Sequence, residues 1–159
     1  MGPKGERGDI GPQGLKGDSG GIEAYGERYS NKSQTFQITA DRETVIPLEQ
    51  TGPAIFTDYD SSYAIEIKKY GAYLVNYYLN VATSVDTNYV ISVNASGIKL
   101  PASNVKVQAK ANTIQQVYGS ALFALVEGDE VTLVVSSEKN TDLIFDDTTC
   151  AKLSVIKLD

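Results

Sequence analysis

The side chains able to carry chemistry are few, and their spacing argues against catalysis. The 159-residue chain has no histidine and no tryptophan, and Cys150 is its single cysteine. A Ser-His or Cys-His nucleophile pair therefore lacks its base, and a typical zinc site lacks its imidazole. Acid–base work would fall to neighbouring carboxylates, Asp58 with Asp60 or Asp146 with Asp147. Both pairs sit among turn residues, where an acid more often caps a backbone amide or faces solvent. Calcium needs about six to eight oxygen ligands, and neither an EF-hand pattern nor any other ligand set stands out. No metal and no cofactor is expected. Cys150 has no partner for an intramolecular disulfide. It reads as a small apolar residue beside the last strand, or as a cross-link between subunits or to other surface layers.

Short recognition strings are equally thin. Arg7-Gly8-Asp9 and Gly5-Glu6-Arg7 spell fragments of integrin-binding motifs, but repeated charged triplets generate such strings as by-products. Asn31-Lys32-Ser33 and Asn94-Ala95-Ser96 fit the N-glycosylation pattern, which matters only where the machinery exists.

The strongest pattern is a period rather than a site. Glycine recurs as Gly2, Gly5, Gly8, Gly11, Gly14, Gly17 and Gly20. When three polyproline-II strands wind about one axis, every third residue points into a space that admits only hydrogen. A flexible linker would show neither a fixed period nor bulky residues such as Ile10 and Leu15. Residues 1–21 thus read as a collagen-like segment built for a homotrimer. Its charges fit that form: Lys4 precedes Glu6, Arg7 precedes Asp9, and Lys16 precedes Asp18, so basic Y positions can meet acidic X positions between chains. Each exposed pair contributes only about 0.2–1 kcal/mol, yet all are repeated three times. Pro3 and Pro12 occupy X, leaving no Y-position hydroxyproline, which suggests a bacterial or viral protein. Met1 runs directly into a triplet in register, with no charged or apolar leader; this reads as a start placed within a longer tract. Six triplets at about 3.1 Å per residue would make a rod of about 56 Å, too short to persist alone.

Residues 22–159 have the length of one ordinary domain. With the stalk neutral, the net charge of −6 belongs to this part, which argues against nucleic acid or an anionic membrane as partner. No apolar run approaches the eighteen or so residues of a membrane-spanning helix. Alternating apolar and polar residues predict strands throughout. Tyr73, Val75, Tyr77, Leu79 and Val81 share one face of a long strand, followed by Tyr89, Ile91 and Val93, then Val105 and Val107, then Val131, Leu133 and Val135, and last Leu153 and Val155. Gly52-Pro53, Asp86-Thr87-Asn88, Ser96-Gly97, Gly128-Asp129 and Asp146-Asp147 supply turns, at the spacing of an all-β sandwich. Ala121 to Val126 is apolar on both faces, so both should be buried, either by a neighbouring subunit or by a loop of the same chain.

Gly71-x-Tyr73 and Gly128-Asp129-x-Val131-x-Leu133 resemble strand starts of tumour-necrosis-factor-like and complement-type heads. Ala24-Tyr25 with Tyr29-Ser30-Asn31, and the closing Ala151 to Leu158, are similar to the first and last strands of collagen-like exosporium glycoproteins of the BclA type. The resemblance implies an all-β jelly-roll sandwich forming a homotrimer behind a collagen triple helix. Its expected role is a structural subunit of a surface filament on a bacterial spore or cell, most simply the exosporium, whose head trimerises and sets the register of the stalk. The family's stalk threonines, which carry sugars, are missing from these triplets. The bets for trimer core or interface are Tyr73, Tyr77, Leu79, Phe123, Leu125 and Leu153. The resemblance also admits other surface-layer proteins or a host receptor as partners. The alternative function is a trivalent recognition or adhesion head for carbohydrate or protein, with Phe56-Thr57-Asp58-Tyr59-Asp60 as its candidate patch. Enzymatic activity is not expected.

Overall fold

A computed structural model describes residues 1–5, 8, 10–15, 20–60 and 62–159. Gly17, the Arg7-Gly8-Asp9 string and all three stalk ion pairs fall wholly or partly outside those residues. Among the described residues the chain forms fourteen strands and one 3-10 turn, Pro101–Ser103. The strands are β1 Tyr25–Ser30, β2 Gln34–Ile38, β3 Thr44–Val45, β4 Gln50–Thr51, β5 Thr57–Tyr59, β6 Ile65–Ile67, β7 Gly71–Thr83, β8 Thr87–Ala95, β9 Ile98–Lys99, β10 Val105–Ala109, β11 Gln115–Leu125, β12 Glu130–Ser137, β13 Thr141–Phe145 and β14 Ala151–Lys157.

Two antiparallel sheets face each other. The first runs β2-β13-β7-β14-β1-β4, with β11 along the other edge of β7; the second runs β10-β8-β12-β6-β5, with β3 on β12 and β9 on β8. Period-two alternation decides what each strand gives the core. Tyr73, Val75, Tyr77, Leu79 and Val81 point inward from β7, and Tyr89, Ile91 and Val93 answer from β8. Val131, Leu133 and Val135 of β12 and Leu153 and Val155 of β14 complete the same buried cluster. Val105 and Val107 pack at its margin, half-buried. Ser96 and Gly97 both take left-handed φ, 50° and 79°, which matches the twist of a two-residue hairpin and closes Ala95 against Ile98.

The sheets are also stitched by polar contacts. The Tyr77 hydroxyl donates to the Ser103 carbonyl at 2.6 Å, and the Ser103 hydroxyl accepts from the Val93 amide at 2.8 Å. This places Tyr77 directly over β11: a methyl group at Gly119 would overlap its ring. Arg28 faces inward from β1, its guanidinium donating to the carbonyls of Leu48 (2.9 Å), Asp60 (2.7 Å) and Ala64 (2.9 Å). It also lies 5.8 Å from the ring centres of Tyr59 and Tyr63. Burial lowers its pKa against the opposing pull of Asp60. The guanidinium thereby ties Asp60 and Ala64 to the sandwich.

Candidate functional site

The outward face of the first sheet is laid out in rows. Because β11, β7, β14 and β1 are paired in register, residues facing away from the core line up across four strands. One row is Leu122, Leu74, Ile156 and Tyr25; the next is Ser120, Asn76, Ser154 and Glu27; the third is Tyr118, Tyr78, Lys152 and Tyr29. An aliphatic band, a hydroxyl and amide band and an aromatic band thus succeed one another along the strands. Leu122 is 63% exposed and Tyr118 68% exposed, while Leu74, Tyr78 and Ile156 are half-buried by their neighbours. The Tyr118 hydroxyl donates to Asn76 Oδ1 at 3.3 Å, fixing that ring across the strand boundary. Shallow hollows lie on the same face, one lined by Tyr78, Tyr118, Thr149 and Lys152 and another by Ile22, Tyr25, Pro53 and Ile156 among others.

Exposed leucine and exposed tyrosine on a regularly paired sheet match the side-chain composition of protein interfaces. Aromatic anchors bring large contact area with few rotors to freeze. The face lacks the depth and the converging charges expected of a catalytic cleft.

The six residues singled out for core or interface all belong to strands of this sheet, on its inner side. Tyr73, Tyr77, Leu79, Leu125 and Leu153 are buried in the sandwich, and Phe123 is half-buried against it. The outer face is carried instead by Leu74, Tyr78, Tyr118, Leu122 and Ile156. Sequence reasoning passed over Leu74 and Tyr78 because Asn76 and Asn80, alternating with them, made that face look mixed. It did flag residues 121–126 as apolar on both faces, with burial expected from a neighbouring subunit or from a loop of the same chain. In the structure Leu122 and Val126 are exposed, so the chain's own loops do not bury that face.

The other candidates resolve as structural. Asp60 accepts from the amide and hydroxyl of Ser62, which lower its pKa. Asp146 likewise caps Thr148 and is held below the usual carboxylate range, first by that side chain and then by the Cys150 thiol. Cys150 is buried with its Sγ 3.1 Å from Asp146 Oδ1, and burial pushes its pKa up. Among the described residues no three His, Cys, Asp or Glu side chains gather as metal ligands, and no helix is long and apolar enough to cross a membrane. Asn31 is exposed in the β1–β2 turn, whereas Asn94 is only 6% exposed within β8. In the Phe56 to Asp60 patch, Phe56 is exposed at a left-handed φ of 48°, with Lys69 Nζ 5.3 Å from its ring centre. Tyr59 of the same stretch is turned in, accepting from the Glu27 amide at 2.9 Å.

No family model and no curated protein matches the sequence. Solved structures do. Eiger TNF of S. frugiperda superposes with a TM-score of 0.63 at 13% identity, covering 87% of this chain and 93% of that one. The globular domain of zebrafish complement 1qA protein gives 0.60 at 10% identity, covering 86% and 98%. Murine APRIL at pH 5.0 gives 0.57 at 14% identity, covering 85% and 98%. The two-sheet sandwich that presents this banded face is therefore a jelly roll of the TNF and C1q-like fold.

Proposed function

We propose that this chain is a structural, non-enzymatic subunit of a homotrimeric surface filament, in which residues 22–159 assemble as a head and residues 1–21 wind as a collagen-like stalk. The observation that carries the reading is the strict glycine period joined directly to a jelly roll that bears an apolar and aromatic outer face. Within one chain nothing lies within 4 Å of the Cβ position at Gly2, Gly5, Gly8, Gly11, Gly14 or Gly20. The glycine demand is read from the strict period itself, which a triple helix imposes on each of its strands. Bringing three flexible strands into register carries a large entropic cost. A head that trimerises first turns that encounter into an intramolecular zip. The outer face of β11, β7, β14 and β1 is the surface we assign to the contact between heads. The same reading places the protein outside the cell, on a bacterial spore or cell surface, with the exosporium as the specific location.

Sedimentation equilibrium of the full chain over a wide concentration range tests this. A trimeric mass at every concentration is expected, and a monomeric mass would overturn the proposal. A second reading, a trivalent recognition head, is favoured by exposed Phe56 and Tyr70 flanking Lys69. A glycan array probed with the trimer tests it, and the absence of any bound sugar would remove its carbohydrate form.

A further inference from the structure

One lysine sits where the sequence pattern calls for an apolar side chain. The inward row of β14 is Ala151, Leu153, Val155 and Lys157, and the Lys157 side chain is only 6% exposed. A methionine there would fill the row without the cost of desolvating an ammonium group. The chain instead makes room for the lysine. Gly71 lies beneath it, where an added Cβ would come within 2.5 Å of both Lys157 Cε and Asp159 Oδ1.

Lys157 Nζ reaches two carboxylates, Asp159 Oδ1 at 3.1 Å and Glu23 Oε2 at 3.4 Å. Glu23 Oε2 is also 2.7 Å from Lys69 Nζ, and the Lys69 carbonyl is held by the Tyr73 hydroxyl at 2.7 Å. Asp159 Oδ1 accepts from the Ala72 amide at 2.9 Å, and the Lys157 amide donates to the Ala24 carbonyl at 2.8 Å. Desolvation lowers the Lys157 pKa, but the hydrogen bonds and charges of Asp159 and Glu23 more than reverse it, and the net shift is upward. Lys69 and then Lys157 hold Glu23 below its ordinary value.

Three of these contacts reach the first residues after the glycine tract: Lys157 and Lys69 hold the Glu23 carboxylate, and the Lys157 amide holds the Ala24 carbonyl. We infer that Glu23, Lys157 and Asp159 form a clasp that fixes the direction in which the stalk leaves the head, an inference that rests on the trimeric reading above. Without the clasp, residues 20–23 would be a short tether carrying no orientation, ahead of an Ala24 held by its backbone bond to Lys157. With it, three stalks leave three heads at one set angle, which is the alignment a triple helix needs at its first triplet. These are positioning residues; they make no contact with a ligand.

The test uses the full chain in a Cys150→Ala background, spin-labelled through Gln13→Cys, with label-to-label distances measured by pulsed electron resonance. The parent, Glu23→Gln and Lys157→Met are compared, each with its native mass and melting temperature. The expected result is a trimer in all three, equal or higher head melting for Lys157→Met, and a distance distribution about twice as broad in both variants, as a free tether replaces a fixed exit. Variants as narrow as the parent, or a parent already as broad as the variants, would overturn the clasp. A variant that loses the trimer or melts much lower would show Lys157 to be an ordinary structural residue and would overturn it too. A monomeric parent would overturn the trimeric reading first, and the clasp would fall with it.

Discussion

The two faces of strands β7, β11 and β14 are made from the same sequence segments but solve different packing problems. The inner rows interlock: Tyr77 lies over Gly119 and is bonded to Ser103, so neither side chain nor backbone can shift alone. The outer rows repeat small, simple units, with Leu122 beside Leu74 and Tyr118 beside Tyr78, and they touch little beyond their own sheet. Period-two alternation lets one strand pack a core on one side and carry the proposed contact between heads on the other, because residues i and i+1 never see the same environment. The comparison predicts that damage to the two faces has different consequences.

The inner face should be the more sensitive. Gly119→Ala forces the Tyr77 ring out of its place, and overpacking of this kind should cost about 3 kcal/mol, or roughly 10 °C in melting temperature. A thermal melt checks this; an unchanged melt would mean that the two faces are equally forgiving. On the outer face Leu122→Asp should weaken assembly by about 2 kcal/mol per protomer. The native mass should fall toward monomer while the far-UV circular dichroism stays that of the parent. A trimer of undiminished stability would move the contact to another surface. Arg28→Met, which leaves the Leu48 and Ala64 carbonyls without their donor, should cost about 2 kcal/mol. It should also make residues 57–64 the first site of proteolytic cutting. Tyr77→Phe removes only the bond to Ser103 and should cost about 1 kcal/mol.

Surface and core should also separate by pH. Glu23, Asp86, Glu138 and Asp159 lie on the surface with folded pKa values below ordinary, chiefly through Lys69 for Glu23, the Ala111 amide for Asp86, Asn88 for Glu138 and the Ala72 amide for Asp159. A depressed carboxylate contributes stability that is present above its unfolded pKa and lost as pH falls through the folded one, so this loss should begin below about pH 4. Tyr77 and Tyr89, inside the sandwich, are pushed up to about 12 by burial. Their contribution is complete below about pH 10 and lost as pH rises from there toward 12. With no histidine in the chain, denaturation midpoints should be flat between about pH 5 and 8. A slope in that window would contradict the assignment.

Much of this architecture is legible in the sequence because it rests on periodicity. The inward rows Tyr73 to Val81, Tyr89 to Val93 and Val131 to Val135 could be named before any coordinates, and so could the turns at Ser96-Gly97 and Gly128-Asp129. The outer rows were harder to see. Leu74, Asn76 and Tyr78 look like a mixed solvent face until pairing sets Leu122, Ile156 and Tyr118 beside them, and that information is held in strand register rather than in any one segment. Arg28 and Lys157 were invisible for a related reason. A cation in an apolar row reads as an error of pattern until the carbonyls and carboxylates that receive it, from distant parts of the chain, are in place.

The position of β14 between β7 and β1 governs the order of events during synthesis. Strand β1 precedes every other strand of the sheet, yet of its ladder partners, β14 and β4, the main one is β14, at residues 151–157. At about 5–20 residues per second the ribosome needs on the order of ten seconds to travel from the end of β1 to the end of β14. For that interval the first strand has at most its two-residue ladder with β4, and the glycine tract and β1 stay in need of solubility. A neutral glycine tract rich in charged residues meets that need by keeping the waiting segment hydrated.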